Sequence, residues 1–169
     1  MTTFLIVRVL HILLAAVWIG AVFAATFFFL PAIQEAKAAG GQVMHGVQKR
    51  GMLMFIPSMA GLVTLSGLYL YYHFTSGFDP VISGSMAGRV FGIGGIAGIL
   101  AAIIGSGVGR KARKVVALMQ QAGPMPDGPG KATLMQQAAA LQQSMATSSK
   151  ITLVLMAIAL ICMSVGHYV

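Results

Sequence analysis

Four long apolar stretches constrain this chain more than any other feature. They run over residues 4–30, 52–73, 90–108 and 151–168, and each approaches or exceeds the roughly 20 residues that a helix needs to cross a bilayer. Only 8% of the residues are charged, far below the usual share in a soluble domain. The sequence therefore predicts an all-α integral membrane protein, a four-helix bundle in which residues 1–169 form one domain.

The basic residues predict the orientation of the bundle. Arg8 and Arg89 are the only basic residues on one side, whereas the connections at residues 32–51 and 109–150 hold Lys37, Lys49, Arg50, Arg110, Lys111, Arg113, Lys114, Lys131 and Lys150. By the positive-inside rule these connections are cytoplasmic, both termini lie outside, and a bacterial inner (plasma) membrane is the expected location. The net charge of +8 is thus a topology signal and does not indicate nucleic-acid binding.

The second basic connection is predicted to be helical beyond the membrane. Residues 131–165 contain neither glycine nor proline and are mostly good helix formers. We expect the third and fourth helices to form a cytoplasmic hairpin, with a seam of Val115, Leu118, Met119 and Ala122 against Leu134, Ala138, Leu141 and Met145. Shorter turns are predicted at residues 39–41 and 75–85, where turn-forming residues cluster.

The first apolar stretch carries polar side chains on one face. Arg8, His11 and Trp18 are three and seven residues apart, so they project the same way from a helix. Ionisable side chains within a membrane span are costly and usually face the bundle interior. This face is therefore the leading candidate for a functional site.

Three of the four histidines fall in the outer half of the predicted bundle. His11, His73 and His167 lie near the outer ends of their spans, whereas His45 lies in a polar, basic connection and is interpreted as a surface residue. Imidazoles on facing helices are what a b-type haem requires. We therefore predict haem b with His11 as one axial ligand and His73 or His167 as the other.

The other candidate residues would complete such a site. Arg8 and Arg89 are predicted to hold the haem propionates, because guanidinium pairs well with carboxylates, and Trp18 is predicted to line the pocket floor. The expected function is electron transfer between the quinone pool or a redox partner and an acceptor on the outer side. A haem-dependent membrane oxidoreductase would fit this function.

Two other classes of function remain open from the residues. The 12 methionines, with Met163 one turn from His167, allow a copper-handling protein because thioethers suit Cu(I). The glycine-rich third helix instead allows an accessory subunit of a larger complex, or a homodimer, because small residues let helices approach closely. Paired carboxylates and phosphate-binding loops are missing from the sequence, which disfavours hydrolytic catalysis.

A family resemblance covers roughly residues 10–73. It is carried by His11, six residues and then Trp18-Ile19-Gly20-Ala21, by Leu30-Pro31-Ala32, and by Arg50 followed by Val63-Thr64-Leu65-Ser66-Gly67-Leu68-Tyr69. The chain resembles small four-span members of the membrane families related to copper-resistance protein D and to the J-type protoporphyrinogen oxidase. The resemblance implies a small membrane haem or metal protein, in which His11 matches the first-helix histidine that the oxidase-like members use for haem.

The sequence departs from the J-type oxidases directly after Gly20. Those proteins continue with a run like Leu-Tyr-Leu-Pro-Arg, whereas this chain has Ala21-Val22-Phe23-Ala24-Ala25. It also lacks the extra spans of the longer copper-resistance members. The oxidase activity is therefore not assigned.

Overall fold

The computed structural model describes residues 2–36 and 40–169. Over these residues the protein is helical, with 88% helix and no strands. The helices are α1 (Thr2–Glu35, with a π-helical turn at Ala25–Phe29), α2 (Gly40–Lys49), α3 (Met52–Phe74), α4 (Pro80–Gly84), α5 (Met86–Ala122) and α6 (Pro129–Val165).

Four of these helices, α1, α3, α5 and α6, are long and apolar enough to cross a membrane. The predicted all-α, four-span membrane architecture is confirmed at this level. The helices extend beyond the predicted apolar spans, and α5 and α6 each reach 37 residues, because the polar segments that flank the spans are themselves good helix formers. The fourth span was predicted to reach residue 168, but α6 ends at Val165.

The π-helical turn in α1 directly precedes Pro31. Proline lacks the amide hydrogen of a regular helical turn and its ring crowds the carbonyl four residues earlier. π-Helical geometry is rare and occurs mostly as a single turn inserted in an α-helix, as it does here. The chain thus continues as a helix through Leu30–Glu35 and carries Ile33 into the protein core.

The bundle has one dominant helix pair. α5 and α6 pack against each other along most of their length, α1 packs mainly on α3, and α3 packs on α5. The contact between α1 and α6 is light by comparison. The side of the bundle between α1 and α6 is therefore its most loosely packed part.

Two apolar cores hold the helices together. The first lies at the level of the apolar spans and contains Trp18, Val22, Ala60, Ala101 and Met156. The second lies where α5 and α6 continue past the apolar spans, and it is built from Ile33, Met44, Ala112, Val115, Val116, Ala138 and Met145. The amphipathic helix α2 contributes Met44 to this second core. The hairpin of α5 and α6 therefore packs against α2 as well.

The predicted seam of the hairpin is confirmed for seven of its eight residues, whereas Leu134 is half-buried and is not among the residues packed against this core. Four of its residues are buried and three others pack partly buried against the same core; the buried residues are Val115, Ala122, Ala138 and Met145, and the partly buried ones are Leu118, Met119 and Leu141. The end of the bundle that holds this seam and α2 is called the basic end below. The opposite end, with His11, His73 and His167, is called the histidine end.

Two predicted turns differ from the structure. The 75–85 stretch contains the short helix α4, because the Asp79 carboxylate accepts hydrogen bonds from the backbone amides of Val81 and Ile82 and so caps it. Of the turn predicted at residues 39–41, Gly40 and Gly41 begin α2. Ala39 lies outside the described residues, as does the basic residue Lys37.

Gly94 allows the close approach of α5 and α6. A β-carbon at position 94 would lie 2.8 Å from the Cys162 β-carbon, whereas one at the neighbouring Gly95 would meet nothing within 4 Å. The predicted packing role of the glycine-rich helix therefore applies to Gly94, while Gly95 faces open space.

We expect Gly94→Val to lower the free energy of unfolding by about 1–3 kcal/mol, because the added side chain forces two packed helices apart. The measurement is thermal unfolding of the detergent-purified protein, followed by circular dichroism. Gly95→Val is the matched control, since it makes the same substitution one residue away in open space. Equal melting temperatures for the two variants would contradict this account of the α5–α6 contact.

Candidate functional site

The polar face of α1 faces the other helices of the bundle. Phe4, Arg8, His11 and Trp18 follow a four-three-seven spacing, which keeps them on one side of the helix. Trp18 is only 4% exposed and belongs to the core that also contains Ala60, Ala101 and Met156. Its structural position is that of a packed core residue, one heptad deeper than His11.

His11 is held by a hydrogen-bond chain that ends on the backbone of α3. Its Nδ1 lies 2.9 Å from Ser66 Oγ, and that hydroxyl donates to the Leu62 carbonyl at 2.7 Å and is also 3.1 Å from the Val63 carbonyl. A serine hydroxyl has a single hydrogen, so while Ser66 donates to the Leu62 carbonyl it accepts from His11 Nδ1. In this arrangement a neutral His11 carries its proton on Nδ1 and keeps a free lone pair on Nε2.

Gly67 makes room for the His11 imidazole. A β-carbon at position 67 would lie 3.0 Å from His11 Cε1 and 3.8 Å from Nε2. The ring thus rests directly on the backbone of α3, in a place that a larger residue would occupy. Ser66 and Gly67 together fix both the rotation and the position of His11.

Arg8 contacts the chain terminus beyond α6. Its guanidinium donates a hydrogen bond to His167 Nε2 at 2.8 Å. Because guanidinium has no acceptor, His167 Nε2 must accept, and the imidazole is neutral with its proton on Nδ1. The His167 ring also stacks edge-on against Phe91 of α5 at 5.1 Å. This exposed pair bridges the lightly packed side between α1 and α6.

His73 lies in an aromatic setting at the end of α3. Its ring is 4.5 Å from the Tyr69 ring and 6.4 Å from the Phe4 ring, measured between centroids. His73 and Ser66 are seven residues apart on α3, which separates them by about 10 Å along the axis. His73 thus lies about two helical turns beyond Ser66, closer to the C-terminal end of α3.

The remaining predicted residues do not join this arrangement. Arg89 is exposed at the start of α5, and in the described hydrogen bonds its side chain contacts none of the histidines. His45 is exposed on α2, as expected for a surface residue. The Met163 methyl group lies against Gly94 in the α5–α6 contact.

The donor groups limit which metals suit the histidine end. Within residues 2–36 and 40–169, no three His, Cys, Asp or Glu side chains come together in a way that would hold a metal ion. A haem iron needs only two axial protein ligands, since the porphyrin supplies the others. Neutral imidazoles such as His11 and His167 have the donor chemistry that such an iron requires, and a hydrogen bond at the other ring nitrogen, as from His11 to Ser66, is typical of ligating histidines.

Two surface grooves lie away from the histidine end. One, of about 470 Å³, runs along the hairpin at the basic end between Lys114, Leu118 and Leu141. The other, of about 270 Å³, lies between α3 and α5 and is lined by Ala60, Gly61 and other small or apolar residues. Neither groove touches a histidine. A planar cofactor beside His11 and His167 would need the helices on the lightly packed α1–α6 side to separate.

Sequence reasoning identified His11 and Arg8 but not the residue that orients His11. Ser66 is one of several hydroxyls that bond the carbonyl one turn earlier in their own helix, as Ser58 and Thr64 also do. Only the packing of α1 on α3 selects Ser66 from this set. The one available signal was the adjacent Ser66-Gly67 pair, which combines a hydroxyl with a gap in the same apolar helix.

Comparisons with protein-family models, curated proteins and solved structures found no match to this chain.

Proposed function

We propose that this protein is a membrane b-type haem protein that transfers electrons, with His11 as one axial ligand. The observation that carries the proposal is the chain from the Leu62 carbonyl through Ser66 to His11 Nδ1. It leaves a neutral imidazole with a bare Nε2 inside an apolar span. A free imidazole lone pair held in a fixed orientation is what an axial ligand must present.

His167 is the second axial ligand in this proposal, in preference to His73. His11 already packs on α3, the helix that carries His73, so a ring between these two helices would have to break the contact with Gly67. His167 follows α6 and faces α1 across the lightly packed side. The helices that flank this side can separate at the smallest loss of packing.

Arg8 has a separate role in the proposal. It now donates to His167 Nε2, a neutral acceptor. A propionate carboxylate is a stronger partner for guanidinium than an imidazole nitrogen is. Arg8 would therefore move to a propionate and leave His167 Nε2 free to ligate.

The bound group would supply one-electron chemistry, and the chain's own residues would set its conditions. Ser66 keeps the His11 proton on Nδ1 and raises the basicity of Nε2. Trp18 and its apolar neighbours exclude water from the deeper side of the site. Electrons would come from a quinol or a redox partner and leave at the histidine end, the end at which His167 is exposed.

The orientation completes the proposal. The basic end would face the cytoplasm and both termini the outer side of a bacterial inner membrane, because lysines and arginines concentrate at one end of the four spans. The hairpin of α5 and α6 would then project into the cytoplasm.

The orientation predicts which introduced cysteines react from outside. In a Cys162→Ala background, Val81→Cys at the histidine end is expected to react with a membrane-impermeant maleimide on intact spheroplasts. Met125→Cys in the basic-end loop should react only after lysis, and the reverse pattern would contradict the orientation. Val81 is 81% exposed and Met125 is 36% exposed, so both sites suit labelling.

The haem assignment predicts the absorption of the detergent-purified protein from haem-replete cells. We expect a Soret band that shifts on reduction with dithionite, together with sharp α and β bands. His11→Ala should abolish haem retention and His167→Ala should remove the low-spin spectrum, because each deletes an axial ligand. His73→Ala should keep the spectrum.

Two further variants make the test specific. His45→Ala, an exposed histidine at the basic end, is the matched control and should retain haem fully. Ser66→Ala keeps both ligands but releases the His11 ring, so haem affinity should fall about ten-fold or more. A colourless wild-type protein, or full haem retention in His11→Ala, would overturn the proposal.

A further inference from the structure

A cluster of hydrogen-bond donors lies on the α5–α6 hairpin at the basic end. The Lys111 ammonium on α5 donates to Ser144 Oγ at 2.7 Å and to Ser148 Oγ at 3.1 Å, both on α6. An ammonium group cannot accept, so both hydroxyls accept from it and keep their own hydrogens for another partner. Three groups with free donors thus meet at one place.

These two serines differ from Ser66 on α3 and from Ser164 further along α6. Ser66 and Ser164 donate back to the carbonyl one turn earlier in their helix, the usual behaviour of helical serine. In the described hydrogen bonds, Ser144 and Ser148 donate to no protein acceptor and only receive the Lys111 hydrogens. Their donors are therefore available to a ligand.

The cluster lies where the apolar spans end. Lys111 follows Val108, the last residue of the predicted third span, by three residues, and Ser148 precedes Ile151, the first residue of the fourth, by three residues. Both Lys111 and Ser148 are half-buried. This depth corresponds to the headgroup region of a bilayer that surrounds the apolar spans.

The cluster has further cations beside it on α5. Arg110 and Lys114 flank Lys111 on α5 and are exposed. The only ion pair among the described residues joins Lys131 to Asp127 at 2.8 Å, and that lysine holds the pKa of Asp127 below its ordinary value through their hydrogen bond and charge attraction. Arg110, Lys111 and Lys114 take part in no ion pair among the described residues.

We propose that Lys111, Ser144 and Ser148 bind a phosphate group at the membrane boundary. One ammonium and two hydroxyls supply donors to several phosphate oxygens, and Arg110 and Lys114 add attraction for the negative charge. The phosphate belongs either to an anionic phospholipid headgroup or to a free phosphate ion. The site does not depend on the proposed haem and would remain if the haem assignment failed.

The test is native mass spectrometry of the detergent-purified full chain, titrated with phosphatidylglycerol and, separately, with neutral phosphatidylcholine. Wild-type protein should prefer phosphatidylglycerol. Lys111→Gln should weaken phosphatidylglycerol binding about five-fold or more, because it removes the central cation. Lys131→Gln is the matched control, since it removes the same charge about 20 Å away along α6, and it should bind like the wild type.

The double variant Ser144→Ala with Ser148→Ala separates a built site from general charge attraction. It keeps every cation and places good helix formers in α6, so loss of phosphatidylglycerol binding in this variant would support the site. Circular dichroism and melting temperature should match the wild type for all variants. Equal weakening by Lys111→Gln and Lys131→Gln, or unchanged binding in Lys111→Gln and in the serine double variant, would overturn the proposal.

Inorganic phosphate identifies the source of the bound group. Displacement of phosphatidylglycerol by millimolar phosphate, lost in Lys111→Gln, would assign the site to the free ion. Binding of phosphatidylglycerol that resists inorganic phosphate but depends on Lys111 would assign it to the lipid headgroup. Both results support phosphate recognition by the cluster.

Discussion

The hydrogen bond between His11 and Ser66 is the interaction on which the candidate site depends. A polar side chain in an apolar span is costly unless it finds a partner, and His11 finds one on the neighbouring helix. That hydroxyl in turn donates to the Leu62 carbonyl of its own helix, and in this arrangement it accepts from His11 Nδ1. The absence of a side chain at Gly67 lets the two helices come close enough for this contact.

The uneven packing of the bundle gives this contact its setting. The α5–α6 pair forms a continuous scaffold with a second core at the basic end, to which α2 also contributes. α1 is attached mainly through α3, and its other side is bridged near the histidine end by the exposed Arg8–His167 hydrogen bond. Extensive packing of α5 on α6 and a lightly packed α1–α6 side thus occur in one small protein, and the lightly packed side carries the Arg8–His167 hydrogen bond.

Much of the architecture follows from the sequence because apolar length and helical periodicity are local properties. The four spans, the hairpin beyond them and the Val115 to Met145 seam all rest on such patterns. The helix α4 was missed because its start depends on one capping carboxylate, Asp79, within a segment rich in turn residues. The site was only partly predictable: the face of α1 is periodic, but the choice of Ser66 as partner, the separation of His73 from His11 and the pairing of Arg8 with His167 depend on how helices distant in sequence are rotated and packed.

The most direct test of the central claim is an experimental structure of the protein purified from haem-replete cells, with diffraction data collected at the iron absorption edge. We expect an anomalous peak from iron within bonding distance of His11 Nε2. His11 Nδ1 should still be hydrogen-bonded to Ser66, and Arg8 should be separated from His167. A structure with no iron signal at His11 and with the Arg8–His167 hydrogen bond intact would contradict it.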